Sequence, residues 1–190
     1  MLNYLDSTGV LSLLLDMHDN FAERKANRLR DYDYSLPGYY FLTICTKNRI
    51  CYFGDVKNEK MYLNEIGQII RNNWLKIDSH YKVAMLDDYT IMPNHLHGII
   101  IISDFLEGNR YSAKLIASKK KNSRHALLST IIRTFKTLTK KEICRTDSGS
   151  QFEWQRSFYD HIIRNEKSLM EIREYIRNNP LKWHLDKYYK

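Results

Sequence analysis

The sequence is short of the residues that interrupt a chain. Its 190 residues include 3 prolines and 7 glycines, so no long flexible linker between domains is expected. Cysteine is as scarce. Cys45, Cys51 and Cys144 make an odd count with no C-x-x-C pair, which argues against a disulfide scaffold and a cysteine zinc site and points to a reducing cytoplasm. Long apolar runs are missing too, and no stretch approaches the roughly 20 residues of a membrane helix. The N-terminal "VLSLLLDM" has no basic region before it and no small-residue cleavage site after it. A short amphipathic helix is expected there rather than a signal peptide. Acidic residues are outnumbered, 22 Asp and Glu against 30 Lys and Arg, for a net charge of +8. That excess suits a polyanionic partner, nucleic acid before membrane.

What is present describes a globular chain, 43% hydrophobic and 27% charged, of a length that suits one compact domain. Residues 1–30 read as an appendage ending in a basic arm, and residues 31–190 as a single domain. Within it, "YYFLTICTK" (39–47) alternates like a strand, and "YLNEIGQIIRNNWLKIDSHY" has Ile66, Ile69, Ile70 and Trp74 at helical spacing, with Asn64 as N-cap. "YKVAMLDDYTIM" and "HLHGIIIIS" form a hairpin across Pro93 and Asn94. A polar, basic loop follows. Then "LLSTIIRTFKTLTKKEICR" places Leu128, Ile131, Ile132, Phe135 and Leu138 on one helical stripe. "WQRSFYDHIIRN" is a fourth strand, and "KSLMEIREYIRNNP" a third helix, capped near Ser168 and stopped by Pro180. The order β-α-β-β-α-β predicts an α+β fold, a ferredoxin-like (RRM-like) four-stranded antiparallel sheet with helices on one face. The additional C-terminal helix carries a tyrosine, and the other sheet face is left for a ligand or for that helix.

The chemistry-bearing stretch is "MPNHLHGIIII". Residues two apart on a strand share a face, so His95 and His97 present two imidazoles side by side while Leu96 points to the core. An H-x-H pair alone is also what two half-exposed strand histidines look like. A deaminase would need H-x-E and P-C-x-x-C, a zinc protease H-E-x-x-H, and a metallo-β-lactamase-like hydrolase an acidic residue where Ile99 stands. What remains is a pair that needs a third ligand. A mixed nitrogen and oxygen site with open positions suits Mg²⁺ or Mn²⁺ acting on a phosphate. On the third helix, Tyr175 and Asn179 lie at i, i+4 and share a face. Tyr175 is a candidate nucleophile and Asn179 a candidate ligand. Tyr159 is the rival tyrosine, and Asn178–Asn179 before Pro180 equally fits an ordinary helix end.

Taken together, "DYDYSLPGYYFLTICTKNR", "MPNHLHGIII", "TIIRTFKTLTKK" and "WQRSFYDHIIRNEKSLMEIREYIRNNPLKW" closely resemble the single-tyrosine (HUH) transposases of the IS200/IS605 kind, especially the REP-associated branch, over about residues 24 to 186. The resemblance implies that His95 and His97 are metal ligands and that Tyr175 is the nucleophile. Asn179 falls at the third ligand's position, where some relatives have Gln. It further implies Mg²⁺ or Mn²⁺, no ATP, cleavage of single-stranded DNA beside an imperfect hairpin, and a 5′-phosphotyrosine link. The chain is expected as a monomer or a homodimer, since in parts of the family the tyrosine helix is exchanged between subunits. Candidate phosphate contacts are Arg24, Lys25, Arg28 and Arg30 on the arm, Lys119, Lys120, Lys121 and Arg124 in the loop, and Arg133, Lys136 and Lys140 on the second helix. Trp154, Phe158 and Tyr159 are candidate stacking residues. Two other readings stay open: a non-catalytic nucleic-acid-binding module of the RRM kind, whose aromatic RNP pattern "HLHGIIIIS" lacks, and a replication-initiator or relaxase-type nuclease, which usually carries further domains.

Overall fold

Alternation in "GYYFLTIC" builds β1 (Gly38–Cys45). Tyr40, Leu42 and Ile44 are fully buried on one face, and Phe41, Thr43 and Cys45 line the other. The computed structural model describes residues 34, 36–103, 127–149 and 151–189. The arm and the lysine cluster, with Arg24, Lys25, Arg28, Arg30, Lys119, Lys120, Lys121 and Arg124, lie outside those residues, as does the expected N-terminal helix.

After β1 come β2 (Gly54–Lys57) and β3 (Lys60–Leu63), helices α1 (Glu65–Leu75) and α2 (Ile77–His80), then β4 (Ala84–Met92) and β5 (His95–Ile102). Helix α3 (Leu127–Ile143), β6 (Tyr159–Ile163) and α4 (Glu166–Asn178) complete the order, and Pro180–Leu185 forms a 3₁₀ turn. The main sheet runs β4-β5-β1-β6, with each neighbouring pair antiparallel. This is the predicted ferredoxin-like order. Helices α1 and α3 cover one face, where Trp74, Ile131 and Phe135 pack on Leu42, Leu96 and Ile100. Helix α4 covers the other through Leu169, Ile172 and Ile176, which meet Phe41, Ile99 and Ile163.

Several local expectations are corrected. The long first helix breaks at Lys76 into α1 and α2, although Asn64 caps as predicted, accepting from the Gly67 N–H at 2.9 Å. On α3, Leu138 is 42% exposed, and Thr139 is buried in its place. The second strand starts at Ala84, after Tyr81 has turned to hydrogen-bond Thr134. The fourth strand starts only at Tyr159, because the carbonyls of Gln155 and Ser157 are taken by the Lys136 ammonium rather than by a ladder. The cap of α4 falls near Ser168 as expected: it is Asn165, whose side chain accepts from the Ser168 N–H at 2.8 Å.

Gly98 follows His97 on β5 and lies on the opposite face, the one covered by α1 and α3. A Cβ there would stand 2.5 Å from Cζ2 of the fully buried Trp74. We expect Gly98→Ala to cost about 1–3 kcal/mol through overpacking, read as a lower urea midpoint at unchanged m-value.

Candidate active site

His95 and His97 sit on the α4-covered face of β5, with ring centroids 4.5 Å apart. They are 0% and 1% exposed, so the half-exposed alternative is set aside. Their buried nitrogens are accounted for one by one. Both N–H groups of the Asn94 amide are used, on the carbonyls of Arg49 (3.0 Å) and Tyr188 (2.8 Å). Its oxygen therefore faces His95 Nδ1 at 2.9 Å as an acceptor, and Nδ1 must carry the proton. Nε2 of His95 is left with a lone pair, buried and without a hydrogen-bond partner. Nδ1 of His97 lies 2.9 Å from the Thr43 hydroxyl, and its Nε2 lies 3.2 Å from the Tyr175 hydroxyl. Burial pushes the His97 imidazole down to about 3, with the Lys187 charge adding to it. His95 is depressed by burial and then by His97. Both rings are neutral lone-pair donors at neutral pH.

Tyr175 reaches the pair because α4 is clamped across β4. A β-bulge between Leu86 and Tyr89 sets Asp87 and Asp88 opposite a single residue of β5. Arg173 is 2.7 Å from Asp87, and Arg177 is 2.8 Å from Asp88. The phenol ring stands edge-on to Phe41 and near His97, with centroids 6.2 and 5.3 Å away. Burial raises the phenol above its usual range and the negative charge of Asp186 adds to this, while a hydrogen bond with Asn179 pulls the other way. Tyr159 stands in register with Thr43 on β6, with β1 between it and His97.

Asn179 is the C-cap of α4 and 3% exposed. Its Nδ2 donates to Asp186 at 3.1 Å, and its Oδ1 is buried without a partner. The structure therefore joins His95, His97, Tyr175 and Asn179 in one place. It adds residues that sequence reasoning missed: Thr43 and Asn94, which orient the imidazoles, and Asp186, whose Oδ2 is 4.0 Å from His95 Nε2. One nitrogen or oxygen from each of His95, His97 and Asp186 falls within 4.8 Å of the others. Asn94 was legible only as a turn residue, and nothing in "LKWHLDKYYK" marks the carboxylate. A buried imidazole nitrogen without a partner, beside a second imidazole and a carboxylate within 4.8 Å, fits a divalent cation.

The remaining basic candidates lie elsewhere. Arg133 and Lys140 are exposed on α3 and line an open groove of about 970 Å³ together with Lys47, Lys141 and Arg156. Lys140 is 3.6 Å from Glu153. Lys136 lines the same groove, but its ammonium is held by two carbonyls at 2.8 Å each, and burial lowers it to about 8. Trp154 donates to Thr139 and Phe158 is buried against the core, and both also line the groove. Among the described residues, no helix is long and apolar enough to cross a membrane.

Comparison with known proteins gives relatives in Haemophilus influenzae. An uncharacterized protein is 39% identical over 168 residues, spanning 87% of this chain and 93% of the relative. A second, which bears the name of a REP-associated tyrosine transposase, is 27% identical over 150 residues, spanning 79% and 74%. No family model matches the chain. Among solved structures, a REP-associated tyrosine transposase bound to a REP hairpin is similar, with a TM-score of 0.53, 20% identity, and coverage of 84% of this chain and 76% of that one.

Proposed function

We propose that the chain is a REP-associated tyrosine transposase, which cuts and rejoins single-stranded DNA beside a hairpin through a 5′-phosphotyrosine intermediate, with Mg²⁺ or Mn²⁺. The observation that carries this is the Tyr175 hydroxyl, 3.2 Å from His97 Nε2, next to a His95 Nε2 that has no partner. His95, His97 and Asn179 would hold the ion, and a divalent cation there would supply Lewis-acid polarisation of the scissile phosphate. Tyr175 Oη attacks phosphorus, the bond from phosphorus to the 3′ oxygen breaks, and the DNA leaves as a 3′-OH. The proton lost by the phenol balances the one gained by that oxygen. One phosphodiester is exchanged for another, so a second 3′-OH can reverse the step without ATP.

Thr43 and Asn94 orient the imidazoles, and the two Arg–Asp pairs hold Tyr175 over its own chain's histidines, which supports a site built within one chain. Trp183 and Tyr188 pack against His95, with ring centroids 6.0 and 4.6 Å away, so a phosphate gains access as this segment shifts. The sheet face that an RNA-binding module would expose is covered by α4. We assign residues 31–190 to one catalytic domain working in the cytoplasm.

The groove along α3 is the proposed path of the DNA backbone. Arg133→Gln with Lys140→Gln is expected to weaken binding of a hairpin-bearing single strand. It should also lower the slope of log K against log[salt] by about 0.7 per lost contact. Fluorescence anisotropy across a salt series reads both, and an unchanged slope would remove the groove from the binding path.

A further inference from the structure

Asp186 lies outside every motif on which the reaction depends, yet its carboxylate is held at the histidine pair. The side chain is 4% exposed. Oδ1 accepts the Tyr188 N–H at 2.7 Å, and Oδ2 accepts from Asn179 Nδ2 at 3.1 Å. Oδ2 also faces His95 Nε2 at 4.0 Å. Asn94 fixes the His95 proton on Nδ1, so Nε2 and Oδ2 are both acceptors, pointed at one another with no donor between them. The opposite tautomer would place a lone pair against the Asn94 oxygen at 2.9 Å, which is no better. Two facing acceptors in a buried pocket repel unless a cation or a proton lies between them, and at 4.0 Å the pair is too far apart to share a proton in a hydrogen bond. Ligand atoms that each stand about 2.0–2.2 Å from one ion are separated by roughly 3 to 4 Å, which brackets this spacing.

We propose that Asp186 is itself a ligand of the divalent ion, beside His95, His97 and Asn179. The segment that covers the site then carries part of the metal site, and ion binding and docking of that segment are coupled. This inference rests on the reading of the histidine pair as a metal site.

The test titrates the full chain, stripped of metal and free of DNA, with Mn²⁺, and follows free Mn²⁺ by electron paramagnetic resonance. Asp186→Asn and Asp186→Ser are expected to weaken Mn²⁺ binding at least about ten-fold and to shrink the rise in melting temperature that Mn²⁺ gives the wild type. Asp55→Asn, on the exposed β2 strand, should leave both unchanged. Wild-type affinity in the two Asp186 variants, alongside its loss in His97→Ala, would overturn the role of Asp186 and keep the histidine site. No Mn²⁺ binding by the wild type would overturn both. Metal-free melting temperatures are read first. Should both Asp186 variants fail to fold, carbodiimide coupling of the wild-type carboxylate takes their place, mapped by peptide mass. Protection by Mn²⁺ is expected, and equal modification with and without the ion would overturn the assignment.

Discussion

Tyr175→Phe is expected to leave no covalent protein–DNA adduct. The substitution removes one oxygen and keeps the ring between Phe41 and His97, so the packing of α4 on the sheet is preserved. On the proposed mechanism the substitution removes the atom that forms the bond to phosphorus, and loss of a nucleophile costs on the order of 10⁴-fold or more in rate. The phenol is costly to ionise where it sits, because burial and the Asp186 charge both raise it. A cation at the histidine pair opposes both effects. The measurement uses a hairpin oligonucleotide labelled at its 3′ end, incubated with Mn²⁺ and run on a denaturing gel. The wild type retains label on the protein, and the Phe variant should show none while binding the oligonucleotide with affinity close to that of the wild type. An adduct in the Phe variant would eliminate Tyr175 and turn attention to Tyr159, on the same sheet face across Thr43.

His97→Ala is expected to abolish cleavage and to remove Mn²⁺ binding. The imidazole touches both halves of the site, with Nδ1 against Thr43 and Nε2 against Tyr175, so no neighbouring side chain replaces it. A lost metal ligand takes with it the polarisation of the phosphate, and a fall of at least about 10³-fold in cleavage is expected. The ring is fully buried and stacked on Phe41 at 5.4 Å, so the variant also leaves a cavity and an unpaired Thr43 hydroxyl. That costs about 1–3 kcal/mol of stability. Cleavage is therefore compared per folded molecule, with the fraction folded taken from a thermal melt. Cutting at the wild-type rate by folded His97→Ala would sink the metal reading of the histidine pair.

Much of the frame was legible. Period-two alternation in "GYYFLTIC" and "HLHGIIII" gave the central strands their faces, and the apolar stripes of α1, α3 and α4 gave the helices. The hairpin of β2 and β3 was not legible. Its strands are four residues each, and its turn uses Asn58 and Glu59 at φ 49° and 61°. Hairpins with that backbone usually advertise themselves with Asn-Gly. Arg133 and Lys140 read correctly as an exposed basic face. Lys136, on the same helix, did not, because the two carbonyls that hold its ammonium belong to a segment some twenty residues away.

The same division runs through the site. That His95 and His97 share a face, and that Tyr175 and Asn179 share another, follows from the sequence alone, because strand and helix periods are local properties of the backbone. That the two faces meet is decided by the fold, through the bulge that turns Asp87 and Asp88 toward Arg173 and Arg177. The tautomer of His95 and the approach of Asp186 are decided there too. Each depends on which buried donors and acceptors are already paired, and that accounting exists only once residues distant in the chain have excluded water from between them.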